Sequence, residues 1–276
     1  TGLSTPLRRQ SCLTPGLPAV STDPVITDPW FYLAAVPAIL FTSVTKGAFG
    51  VGMGILAVPI IALTLPIGQT AGILLPVLLL LDGFGLWLYW KRWDGALLRA
   101  LVPGALLGVA AGTATFHLLP EQAIRLLIGG IAVGFPRQYW LRHNGSGPPR
   151  RPPGWVGLFA GGASGFTSFV SHAGAPPLAV YLLPQRLDKT LYTGTTVLFF
   201  ALVNGAKLPA YAWLGLLARG NLATAAALSP LVPLGIVMGA RLHRALSPRA
   251  FYRVSYAIVF LAGLKLMSDG LLPWLR

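Results

Sequence analysis

The chain has 276 residues, of which 54% are hydrophobic and only 10% charged, and its mean hydropathy is +0.68. A soluble domain is near a quarter charged, so this composition excludes a water-clothed globular surface and makes lipid the natural solvent. The net charge of +14 does not point to nucleic acid, because the basic residues lie in short stretches between apolar spans rather than in a basic domain.

Residues 1–29 are polar and rich in Pro, Ser and Thr, without the apolar core of a signal peptide, and are expected to form a flexible extracytoplasmic leader. Apolar stretches then follow at residues 30–49, 52–66, 70–90, 99–118 and 121–138, making a first repeat over 30–138. A polar linker at 139–153, expected in the cytoplasm, contains Asn144-Gly145-Ser146-Gly147-Pro148-Pro149. The second repeat, 154–276, has apolar stretches at 154–171, 173–184, 190–216, 222–242 and 250–272. As helices, residues 52–66 and 173–184 reach only about 22 Å and about 18 Å, too short for a hydrocarbon core of roughly 30 Å.

Each short stretch is second in its half and follows a break, at Gly47-Ala48-Phe49-Gly50-Val51-Gly52-Met53-Gly54 and at Ser168-Phe169-Val170-Ser171-His172-Ala173-Gly174. Aligning the halves pairs Gly54 with Gly174 and Thr70 with Thr190, then Pro103, Gly108 and Gly112 with Pro230, Gly235 and Gly239. Short broken segments at matching places in two halves mark the binding site of a transporter. The expected fold is an all-α polytopic membrane protein of two inverted-topology repeats. Each repeat has a broken or re-entrant helix pair followed by three transmembrane helices.

Charge sets the orientation. The richly basic stretches hold Lys91, Arg92 and Arg99; Arg137, Arg142, Arg150 and Arg151; Arg186 and Lys189; and Arg241, Arg244, Arg249 and Arg253. All of them can face the cytoplasm at once, which inverts the halves and puts both termini outside. An impermeant maleimide is then expected to label Cys12 on intact cells. Cys12 is the single cysteine, so no internal disulfide forms.

The breaks carry the candidate chemistry. Glycines there let backbone N–H groups approach an anion, and a helix starting there aims its positive end at it. Gly50, Gly52, Gly54 and Gly174 are therefore candidate anion ligands, although close helix packing through small residues explains the same glycines. Lys46, at the tip of the first break, either holds an anion or snorkels to the membrane edge. Asn204 and Lys207 are three apart on one helix face and either present an amide and an ammonium to an oxyanion or join helices. Asp82, the acid deep in a span, pairs with a lysine or carries a coupling proton, with pairing the simpler reading. His172 is a candidate donor and proton carrier, with a buried structural ring as the alternative. Ser171 and Thr195, like Ser168 and Thr196, could add neutral donors or bond their own helix. His117, His143 and His243, near span ends or in the linker, are given no special role, and neither a metal nor another cofactor is expected. Gly162-Ala163-Ser164-Gly165 resembles an intramembrane serine protease motif, but no base is evident for Ser164.

The two breaks, the run His172-Ala173-Gly174-Ala175-Pro176-Pro177, and the stretch from Leu182-Leu183-Pro184 through Thr193-Gly194-Thr195 to Asn204 and Lys207 resemble the TauE/SafE sulfite exporter family. The likeness covers roughly residues 30–272, and Met53 and Ala175 stand where a denser glycine run is typical. It implies a permease for sulfite, a sulfonate or a related sulfur-containing anion in the bacterial inner membrane, and not an enzyme. The implied partners are the anion and the bilayer, with a homo-oligomer left open. A non-transporting assembly factor is the rival reading.

Overall fold

A computed structural model of the chain describes residues 25–51, 54–61, 64–65, 67–115, 121–141 and 152–271. Gly52, Cys12, His117 and His143 lie outside the described residues.

The first half holds α1 (Pro29–Phe49), α2 (Gly54–Ile61), α3 (Ile67–Leu88), α4 (Gly95–Thr115) and α5 (Glu121–Leu141). The second holds α6 (Gly154–Ser171), α7 (Ala175–Leu182), a 3-10 turn (Leu183–Gln185), α8 (Lys189–Trp213), α9 (Arg219–Leu228), α10 (Leu231–Ala245) and α11 (Pro248–Leu271). Among the described residues all regular structure is helical.

Local chemistry places the ends. The Asp28 carboxylate accepts from Trp30 N–H, and Pro29 occupies the first turn of α1, where a missing N–H is harmless. The same helix ends where Gly50 turns left-handed at φ 72°, returning its N–H to the Lys46 carbonyl at 2.9 Å. In the second half α6 ends on His172, left-handed at φ 52°, whose N–H returns to Ser168. Gly50 and His172 stand 122 positions apart, as do the first residues of α3 and α8, Ile67 and Lys189. These caps and helix starts share an offset of 122, beside the 120 that pairs Gly54 with Gly174 and Thr70 with Thr190. A glycine-rich run offers several near-equivalent matches, whereas a helix cap occurs once per break.

Both short helices are eight residues, about 12 Å long, so each is too short to cross a bilayer. Helices α1, α3, α4 and α11 are long and apolar enough to cross a membrane, and α9 and α10, bent by 45° at their break, make a fifth if the pair counts as one span. The bend falls at Ser229-Pro230, where proline cannot continue the hydrogen-bond ladder. The expected uninterrupted stretch 222–242 is thus a broken one. α8 is more polar than a lipid-facing helix, because its face bearing Thr193, Thr196, Asn204 and Lys207 is buried inside the bundle. The outer surface is apolar, with Trp87 76% and Trp213 79% exposed, as expected of a face solvated by lipid.

Helix packing crosses between the halves. α4 lies along α6 and α10 along α1, with α5 on α11 and α3 on α8. Glycines make the first two contacts close: a Cβ on Gly104 would sit 1.9 Å from the Leu158 carbonyl oxygen, and one on Gly239 would sit 2.2 Å from that of Val44. These contacts bring both breaks against α3 and α8 at the centre of the molecule.

Candidate functional site

At each break a helix stops and leaves carbonyls without intrahelical partners. In the first, the Tyr89 hydroxyl donates to the Gly47 carbonyl at 2.5 Å, and His243 Nδ1 meets the Ala48 carbonyl at 2.7 Å. A carbonyl only accepts, so Nδ1 of His243 carries the proton. In the second, Lys207 Nζ donates to the Ser168 carbonyl at 2.8 Å and the Tyr211 hydroxyl to that of Phe169 at 3.1 Å. Each tyrosine lies 42 residues beyond the carbonyl it holds. The pairs Gly47–Tyr89 and Phe169–Tyr211 therefore repeat at the same 122-residue offset.

Two buried polar clusters meet between the breaks. In one, Lys46 Nζ lies 2.5 Å from Asp82 Oδ1 in a charge contact that is not an aligned hydrogen bond, while Asn204 Nδ2 donates to Asp82 Oδ2 at 2.6 Å. Asp82 and Asn204 are themselves 122 apart, so equivalent positions of the two halves touch. The Lys46 ammonium also lies 5.2 Å from the centre of the Phe200 ring, within cation–π range. Lys46 and Asp82 are each 2% exposed.

In the other cluster, Lys207, 0% exposed, has His172 Nδ1 at 3.3 Å in addition to the Ser168 carbonyl. An ammonium only donates, so the His172 ring accepts at Nδ1 and carries its proton on Nε2, which faces the Tyr211 oxygen at 3.5 Å. The Tyr211 hydroxyl in turn donates to the Phe169 carbonyl, so Lys207, His172 and Tyr211 gather at the end of α6. Lys46, Ser168, His172, Ala175, Phe200 and Asn204, with Leu78, line a small cavity between the clusters.

Of the residues expected from sequence, Lys46, Asp82, His172, Asn204 and Lys207 come together here. Their partnerships differ from the expected ones. Asn204 and Lys207 do not act as a pair: the amide turns to Asp82 on α3 and the ammonium to α6. Thr195 lies elsewhere, accepting from Asp94 N–H at 2.9 Å and donating to the Leu191 carbonyl. Ser171 bonds back to its own helix at Thr167.

The backbone contribution is also smaller than expected. The N–H groups of Gly50, His172 and Ala173 close the caps of α1 and α6, and so do not point at an anion. Pro176 and Pro177 in the first turn of α7 have no N–H at all, and the Gly174 carbonyl is held by Ser164 Oγ at 2.6 Å. Of Gly54 the structure shows only that it begins α2. Among the described residues, Lys46 and Lys207 bring side-chain amines to this place.

Ser164 is thereby bound to a carbonyl, while the nitrogens of His172 face Lys207 and Tyr211, so Ser164 and His172 are not arranged as nucleophile and base. Sequence reasoning missed Tyr89, Tyr211 and His243. The tyrosine repeat at offset 122 was a usable signal, whereas His243 gave none, since its partner Ala48 is 195 residues away.

A family model described as sulfite exporter TauE/SafE matches residues 35–266, from α1 to α11. No curated protein and no solved structure matches the chain. The family match takes in both breaks, both clusters and the helices that hold them, and on it the chain belongs to the TauE/SafE sulfite exporter family.

Proposed function

We propose that this protein is a secondary transporter that carries a small sulfur-containing oxyanion across the bacterial plasma membrane by alternating access. Membership of the family implies a multi-pass membrane transporter of sulfur-containing anions. The observation that carries the reading is the cavity between the breaks, with the Lys46 ammonium, the Asn204 amide and the His172 ring in its wall and Lys207 directly behind. Cations are costly inside a membrane protein, and a bound anion offsets that cost.

The cross-packing supports two repeats inverted in the membrane. α4 of the first half lies on α6 of the second, and α10, which follows the bend, lies on α1. Two bodies joined this way, with short helices ending at a shared central cavity, are suited to rock about it and open it to either side.

Flux of radiolabelled sulfite, sulfate and a small sulfonate into proteoliposomes tests the proposal. Saturable flux of at least one anion, lowered about tenfold or more by Lys46→Ala, is the expected result. Absence of flux for all three would favour a non-transporting assembly role.

A further inference from the structure

We propose that the site accepts anions of single charge and discriminates against dianions, with Asp82 as the residue that sets this valence. The inference rests on the transport reading and adds to it a rule of charge balance. Lys46, Asp82 and Lys207 are the charged side chains buried among the described residues. With Lys207 protonated and His172 accepting from it as a neutral ring, the cluster carries two positive charges and one negative. Asp82 is committed to Lys46 at 2.5 Å and is held there by Asn204 at 2.6 Å. Lys207 hydrogen-bonds to dipolar groups, the Ser168 carbonyl and the His172 ring, and among the described residues makes no ion pair with a carboxylate of its own.

One positive charge is therefore left without a counter-charge in a part of the molecule shielded from water. An uncompensated buried charge is strongly unfavourable, whichever its sign. A monovalent anion in the cavity brings the sum to zero. A dianion leaves one negative charge over, and an uncharged molecule leaves the cluster as it was. Without Asp82 the two ammonium groups would instead balance a dianion. The carboxylate is thus a specificity-determining residue that acts through Lys46, without needing to touch the substrate.

Methanesulfonate and sulfate are suitable probes, since both are tetrahedral sulfur oxyanions and each keeps one charge state across the working pH range. The measurement is competition of each against radiolabelled sulfite flux in proteoliposomes, for the wild type and for Asp82→Asn. Methanesulfonate is expected to compete at a concentration about tenfold or more below that of sulfate, with Asp82→Asn shifting this ratio toward sulfate by about tenfold or more. Sulfate competing as well as methanesulfonate in the wild type, or neither competing, overturns the valence rule while sulfite transport stands. A folded Asp82→Asn protein with an unchanged ratio overturns the assignment to Asp82. Should that variant not fold, Lys207→Met, which brings the cluster to zero, is expected to lose methanesulfonate competition, and retained competition overturns the charge count. Absence of sulfite flux in the wild type overturns the transport reading and this inference with it.

Discussion

Removing the Asp82 carboxylate would leave the Lys46 ammonium buried beside Phe200 without its counter-charge, and Asn204 without its acceptor. Breaking one partner of a buried pair costs about 3–5 kcal/mol, more than replacing both by apolar groups. Asp82→Ala is therefore expected to lower the melting temperature in detergent markedly, and the double variant Lys46→Met, Asp82→Ala to recover much of the loss. A double variant as unstable as the sum of its parts would mean that the pair is not coupled. Gly50 allows a similarly controlled comparison. Gly50 and Gly215 have nearly the same φ, 72° and 71°, so alanine at either meets the left-handed penalty of about 1–2 kcal/mol. A Cβ at Gly50 would also stand 2.5 Å from the Thr193 carbonyl, whereas at Gly215 nothing lies within 4 Å. Gly50→Ala is expected to be the more damaging by thermal unfolding, and equal effects would show that the first break yields without cost.

At the scale of elements, the breaks are held by phenol-to-carbonyl bonds. Tyr89→Phe and Tyr211→Phe each remove one such bond, worth about 0.5–1.5 kcal/mol. Tyr211→Phe is expected to cost more, because its hydroxyl also lies 3.5 Å from Nε2 of the buried His172. Thermal unfolding of both variants measures the difference, and the reverse order would mean that the His172 ring gains nothing from Tyr211. Most elements were legible in the sequence: apolar runs place the helices apart from the division of 222–242 into α9 and α10, and a glycine-rich run marks the first break. Who binds whom was less so. The pairing of Lys46 with Asp82 follows readily from their being the first half's buried cation and acid. That Asn204 joins them depends on α3 and α8 meeting at equivalent positions, a tertiary fact with no local trace. Of the break amides proposed as anion donors, that of Gly50 closes the α1 cap, a use of the N–H that a glycine-rich string does not reveal. Lys189 was read only as a loop charge, yet its Nζ closes α10 by donating to the His243 and Leu246 carbonyls, each at 2.7 Å.

For the whole molecule the open physical question is the direction of each half in the membrane, and corresponding loops answer it. The turn between α3 and α4 and the turn between α8 and α9 occupy the same place in their halves. Repeats of one orientation would put them on the same side, and inverted repeats on opposite sides. The basic residues Lys91, Arg92 and Arg99 bracket the first turn, whereas the second carries Arg219 alone, so the first is expected inside and the second outside. Ala96 and Arg219 are exposed beside these turns and accept a reporter without disturbing the core. In a Cys12→Ser background, an impermeant maleimide applied to intact cells is expected to label Arg219→Cys and to spare Ala96→Cys until the membrane is permeabilised. Labelling of both in intact cells, or of neither, would make the halves parallel. The cross-packing of α4 on α6 and α10 on α1 would then join two bodies that face the same way, which could not expose a central cavity alternately by a symmetric exchange of roles.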